Sequence, residues 1–162
     1  MKNVLELLER TAARLPRQTA FADQQCSYDY QTVVNIAESV GSALAANGDR
    51  NCPVAVLMER GAPCLVTLMG VLYSGNFYVV LDPEMPAERV NKILRTLQPT
   101  ALICDEAHKD DPAGLDYDGK VCSAEALAAG QAQPELLQTV RRRIRPMPFL
   151  PPAPPATPRA WW

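Results

Sequence analysis

The chain has 162 residues, 48% of them hydrophobic and 21% charged. That is the make-up of one ordinary globular domain or a piece of a larger one, and it excludes a wholly disordered, collagen-like or disulfide-scaffold protein. The formal net charge of -2 hides a split, because residues 141–162 hold five arginines and no acid, which leaves 11 basic and 18 acidic side chains (a balance of -7) in residues 1–140 and gives no broad footprint for nucleic acid.

Asn3 caps a first helix with Glu6 as its capping-box partner. Val4, Leu7, Leu8, Ala12 and Leu15 form its apolar stripe, and Pro16 ends it. Thr19–Phe21–Ala22 and Gln25–Cys26–Ser27 read as two short strands around a turn at Asp23–Gln24. Ser27 then caps a long helix in which Val33, Val34, Ala37, Val40, Gly41 and Leu44 recur at helical spacing, with Gly48 as its left-handed stop. Val54–Met58, Phe77–Leu81 and Ala101–Cys104 are continuous apolar runs, the signature of strands covered on both faces. A helix from about Ala62 to Tyr73, stopped by Gly75, joins the first run to the second. Another, opened by Pro86 and Glu88 with Val90, Ile93, Leu94 and Leu97 on one side, joins the second to the third. Residues 105–119 form a polar surface loop, followed by short helices at Ser123–Leu127 and Pro134–Arg143. Alternation of strand and helix predicts an α/β fold, part of a doubly wound parallel sheet with helices on both faces. Ligands of such sheets usually sit at the carboxyl ends of the strands.

Residues 61–81 carry no charge and are long enough to span a bilayer, but Ser74, Gly75 and Asn76 interrupt them. A buried helix followed by a buried strand fits better than a membrane span. Glu6 and Glu9 stand in the first turns and no apolar segment follows Lys2, so no secretory signal is expected. The five cysteines are odd in number and widely spaced, with no C-x-x-C pair, which argues against zinc and for reduced thiols in a cytoplasmic protein.

Chemistry is sparse. The only histidine, His108, lies in the polar loop, where it is expected to be solvated. Asp105–Glu106 and Asp110–Asp111 read as a solvated acidic loop, since a catalytic role would need a cleft to perturb them. There is no G-x-x-x-x-G-K-[ST] and no G-x-G-x-x-G.

The segment Leu72-Tyr73-Ser74-Gly75-Asn76-Phe77-Tyr78-Val79-Val80-Leu81-Asp82-Pro83 resembles the second core motif of amino-acid adenylation domains, L-K-A-G-x-A-Y-V-P-L-D-P. Ser27-Tyr28-Asp29-Tyr30-Gln31-Thr32-Val33 resembles their first, T-Y-x-E-L. Val54-Ala55-Val56-Leu57-Met58-Glu59-Arg60 and Pro86-Ala87-Glu88-Arg89-Val90 look like the intervening blocks, in the same order, so the likeness runs from about Asn3 to Arg143. The resemblance implies the amino-terminal part of an adenylate-forming enzyme of the nonribosomal peptide synthetase type. Full-length members activate an amino acid or other carboxylic acid with ATP and Mg²⁺, release pyrophosphate, and pass the acyl group to the phosphopantetheine thiol of a carrier protein. It assigns structural roles to Ser27, Tyr28, Arg60, Gly75, Tyr78, Asp82 and Pro83. Val80, where proline is usual, and Asn76–Phe77 depart from the pattern without removing chemistry. No catalytic, cofactor or metal residue is expected in these 162 residues, and no nucleic-acid or membrane partner.

The family's phosphate-binding loop, T-S-G-S-T-G-x-P-K-G, is due soon after Arg143, but residues 144–162 contain neither glycine nor serine. Seven prolines, two arginines and two terminal tryptophans make this a compositionally separate tail, expected to be disordered. With codons chosen freely among those compatible with Met147 to Trp162, a frame read one base earlier can spell Y-A-I-F-T-S-G-S-T-G-N-P-K-G-V-V, the missing loop with its usual preceding strand. The expectation is therefore a truncated adenylation domain over residues 1–143, and a tail over 144–162 translated out of frame after a shift between about Arg141 and Met147. The alternative is a non-catalytic α/β interaction protein whose Arg-x-x-Pro and Pro-x-x-Pro spacings form an SH3-type ligand. Half of a doubly wound domain is also expected to leave a sheet edge bare and to be aggregation-prone.

Overall fold

A computed structural model of the chain describes residues 4–143. The expected cap at Asn3 and the expected disorder of the 144–162 tail lie outside the described residues. In chain order the elements are α1 (Val4–Arg14), β1 (Thr19–Ala22), β2 (Ser27–Asp29), α2 (Tyr30–Ala45), β3 (Pro53–Leu57), α3 (Ala62–Tyr73), β4 (Phe77–Leu81), α4 (Ala87–Leu97), β5 (Ala101–Cys104), β6 (Lys120–Ser123), α5 (Ala124–Ala128) and α6 (Pro134–Arg143). Two 3-10 turns, Glu106–His108 and Asp111–Gly114, lie between β5 and β6. β1 and β2 form an antiparallel hairpin. The other four strands form one parallel sheet in the order β4-β3-β5-β6.

The two central strands, β3 and β5, are covered on both faces. Val54, Val56 and Ile103 point toward α2, α3 and α5 and pack with Val40, Leu44, Val71 and Ala124. Ala55, Leu57, Leu81, Leu102 and Cys104 point the other way, against Val90 and Leu94 of α4. A further cluster of Leu5, Leu8, Val33, Ala37, Val66, Tyr73, Leu137 and Val140 joins α1, α2, α3 and α6. Leu102 and Ile103 are fully buried, and each such side chain contributes about 2 kcal/mol by leaving water.

Helix α3 ends where Gly75 adopts φ 81, a left-handed conformation that a side chain would strain. The glycine carbonyl accepts from Asn51 N at 2.9 Å, tying the β3 entry to the α3–β4 turn. The uncharged stretch is thus a helix and a strand, and no helix among the described residues is long and apolar enough to cross a membrane.

Four expectations need correction. Ser27 does not cap the long helix: Asp29 does, its carboxylate accepting from Thr32 N at 2.8 Å, because the strand paired with β1 runs on through Asp29 and the helix starts only at Tyr30. The second hairpin strand accordingly starts two residues later than the sequence suggests. In α1 the buried side is Leu5, Leu8 and Ala12, while Val4, Leu7 and Leu15 are exposed; in so leucine-rich a helix, periodicity does not say which stripe meets α2. Most consequentially, β4 is not covered on both faces. It is an edge strand: no strand among the described residues pairs with its outer side, and too little packs on its faces to cover Phe77, Tyr78 and Val80, which are all exposed.

Candidate functional site

The carboxyl ends of the parallel strands open into two clefts that share Glu59 and Arg60. One, about 600 Å³, is lined by Glu59, Arg60, Asp82, Pro83, Glu84 and His108. The other, about 510 Å³, lies between the β1–β2 turn, the β3–α3 junction and the segment after β5. This is the edge at which a parallel sheet holds its ligands.

Three of the motif residues meet here. Asp82 follows β4 and its carboxylate accepts from Glu84 N at 3.1 Å, closing an Asx turn through Pro83. The same carboxylate is ion-paired to Arg60, which follows β3. The hydrogen bond from Glu84 N and the Arg60 guanidinium hold Asp82 below the usual carboxylate range, against a smaller upward push from desolvation. The remaining motif residues stand elsewhere. Gly75 and Tyr78 belong to the turn before β4 and its amino-terminal half, and Ser27 and Tyr28 to the hairpin. Tyr28 is half-buried against a small apolar recess between α2, α3 and α5.

Asp23 is legible in the sequence only as a turn residue, yet it joins the hairpin to the sheet. Its Oδ1 accepts from Gln25 N and Cys26 N, both at 2.8 Å, and its Oδ2 accepts from Ala62 N at 2.7 Å. Gly61, the N-cap of α3, has no side chain to offer, so Asp23 serves as that helix's cap from a distance. These bonds, the one from Ala62 foremost, lower its pKa to about 2. A depressed carboxylate stabilises the fold above its unfolded pKa and stops doing so as pH falls through the folded value. The hairpin is therefore expected to detach from α3 between about pH 4 and pH 2. Amide exchange at Ala62 and Cys26 should accelerate across that window, and Asp23→Asn should accelerate it already at neutral pH. Unchanged protection in the variant would refute this role.

His108 is not the solvated loop residue expected. Its side chain is 17% exposed and its Nδ1 lies 2.6 Å from Asp105 Oδ1. The polar loop folds into 3-10 turns because Asp105 caps the first, accepting from His108 N at 3.0 Å, and reaches Glu59 N at 3.0 Å with its other oxygen. Burial pushes the Asp105 carboxyl up, but the bonds from Glu59 and His108 outweigh it and the net shift is downward. The Asp105 bond raises His108, against a smaller opposing effect of desolvation. The D-x-x-H spacing of a cap and its first turn is the sequence signal that points to this pair.

The chemistry this edge can perform is limited. Glu59, Asp82, Glu84 and Asp105 surround it, and the one guanidinium lining it is already engaged with Asp82. No serine or cysteine adjoins His108 in either cleft. Among the described residues, nothing here fits a triphosphate, and no group of three His, Cys, Asp or Glu could hold a metal ion.

Similarity to known proteins supplies the missing context. Plipastatin synthase of Bacillus subtilis (strain 168) is, in one of its subunits, 27% identical over 135 residues, which is 83% of this chain and 4% of that protein. Pyochelin synthetase PchF of Pseudomonas aeruginosa is 35% identical over 121 residues, 74% of this chain and 6% of its own. The chain thus spans only a small fraction of the curated relatives it matches. In structure it resembles the nonribosomal peptide synthetase FmoA3, with a TM-score of 0.72 at 23% identity over 80% of this chain and 14% of that one. FmoA3 has also been crystallised with α-methyl-L-serine-AMP and with AMPPNP bound. The AMP-binding enzyme family matches residues 8–159, crossing the compositional boundary at residue 143. With the doubly wound half-sheet and both core motifs in place, the chain belongs to the AMP-binding enzyme family, among the adenylation domains of nonribosomal peptide synthetases.

Proposed function

We propose that the chain is the amino-terminal scaffold of an ATP-dependent amino-acid adenylating ligase. In the complete protein, ATP with Mg²⁺ and a carboxylic acid would give an acyl-adenylate and pyrophosphate. The acyl group would then pass to the phosphopantetheine thiol of a carrier protein. The observation that carries this reading is the family match over residues 8–159 on a chain whose fold follows FmoA3, a protein known with an aminoacyl-AMP and an ATP analogue bound.

In this reading the described residues are a frame rather than a catalyst. Transfer of the adenylyl group from ATP to the carboxylate, with pyrophosphate leaving, needs donors that take up charge developing on the phosphates, typically a glycine-rich loop of backbone N–H groups and a lysine. The acid-rich clefts at the strand ends supply neither. A frame shifted by one base can supply both, because codons compatible with residues 147–162 can be chosen to read T-S-G-S-T-G-N-P-K-G. We therefore take residues 1–143 as the amino-terminal part of an adenylation domain, and 144–162 as the product of a frameshift in the gene or in its sequencing, although the family match runs on to residue 159. Five free cysteines support a cytoplasmic location.

The test is amino-acid-dependent exchange of labelled pyrophosphate into ATP. A protein carrying the in-frame loop and its downstream sequence should exchange with one amino acid or a narrow set. The 162-residue chain should not exchange with any. Exchange by the short chain would refute the scaffold reading, and a restored long protein silent with every amino and aryl acid would refute the ligase reading.

A further inference from the structure

Residues 105–119 run from the carboxyl end of β5 back to the amino end of the parallel strand β6, as a strap fastened at two places. The downstream fastening is built from permanent partners: Arg95 Nε donates to Asp116 Oδ2 at 2.8 Å, Asp116 N donates to Asn91 Oδ1 at 2.8 Å, and Tyr117 OH donates to Pro99 O at 3.1 Å. The upstream fastening is Asp105, which holds Glu59 N with one oxygen and His108 with the other. Between the two, Leu115 and Asp111 lie over a recess of about 240 Å³ floored by Leu57, Pro83, Met85 and Val90.

We propose that the Asp105–His108 pair is a pH-sensitive latch, which holds the upstream end of this strap against the β3–α3 junction while the imidazole is protonated and loosens it when the imidazole is neutral. The two side chains are 16% and 17% exposed, so solvent screens their attraction only in part. The charges that face the ring come from every neighbouring element. Asp105 lies in its own turn, Asp111 in the second 3-10 turn, and Glu59 and Arg60 at the β3–α3 junction. Asp82 and Glu84 follow β4. Arg60 is neutralised by Asp82, so the surplus is negative and favours the imidazolium. A group whose pKa is raised by folding adds stability below its unfolded pKa and loses it as pH rises through the folded value. Asp105 works in the opposite sense, with its contribution lost toward low pH. The latch is therefore tightest in mildly acidic solution and slackens above neutrality, while the Arg95–Asp116 anchor keeps the strap in register.

His108 is the chain's only histidine, so its ring C–H signals titrate alone in an NMR spectrum of the unmodified protein. The midpoint is expected above the ordinary value of about 6.5, and Asp105→Asn should bring it back to that value or lower. Corrected for intrinsic rates, exchange of the Glu59 and His108 amides should quicken severalfold above the midpoint, while that of Asp116 stays constant. His108→Gln should make the Glu59 amide indifferent to pH. A ring midpoint at or below the ordinary value in the unmodified chain overturns the latch, as does equal Glu59 protection on both sides of it. Both readings need no variant, so poor folding of a substituted protein does not shelter the proposal.

Discussion

Replacing Gly70 by alanine is expected to cost about 3 kcal/mol, a large share of the stability of a domain this size. Helices α2 and α3 approach through two glycines. A Cβ on Gly70 would stand 2.5 Å from both Cβ and Cγ1 of Val40, and 3.2 Å from the Ala37 carbonyl. A Cβ on Gly41 would stand 2.6 Å from Tyr73 Cβ and 3.1 Å from the Gly70 carbonyl. Val40 and Tyr73 are fully buried, so neither can swing aside. The helices must separate instead, lifting Val66 and Val71 from their clusters. Gly114 is the control, because a Cβ there meets nothing within 4 Å. Urea unfolding followed by circular dichroism should show a large fall in midpoint for Gly70→Ala and almost none for Gly114→Ala. Equal midpoints would mean that the two helices are not packed as described.

The second large effect concerns β4. A strand unpaired along its outer edge that exposes Phe77, Tyr78 and Val80 and has no charge between Phe77 and Leu81 is a template for pairing with another chain. We expect the 162-residue chain to self-associate at micromolar concentration. The double substitution Tyr78→Lys with Val80→Lys should return it toward the mass of one 17.8 kDa chain, because charge along an edge strand opposes stacking. Sedimentation velocity distinguishes the outcomes. A monomeric unmodified chain with a sharp cooperative melt would show that the edge is no liability and that the fold is self-sufficient.

That edge also marks the limit of what the sequence discloses. β3, α3, β5 and α6 are legible because punctuation and pattern agree: Gly75 stops a helix, Pro134 opens one, and runs such as Val54–Met58 have no room for another period. Phe77–Leu81 is recognisable as a strand, but its position in the sheet is not. An apolar run records that a strand expects cover, and does not record whether the chain at hand provides it. β6 is hidden because Lys120 to Ser123 alternates too briefly among turn residues to show a period. Gly70 carries no signal at all, since a glycine inside a helical pattern reveals a close crossing only once the partner helix is placed. At the strand ends, Arg60 and Asp82 stand out through the family motifs, and the structure pairs them. Asp23, Asp105 and His108 owe their roles to contacts across 39, 46 and 3 positions. Only the last of these lies within reach of a local pattern.

The scaffold reading is tested most directly by titrating the unmodified 162-residue chain with ATP and Mg²⁺ in a calorimeter. We predict no saturable heat at millimolar nucleotide, because the strand-end clefts are acidic and their one guanidinium is already paired. Tight, saturable binding of nucleotide by this chain would contradict the account.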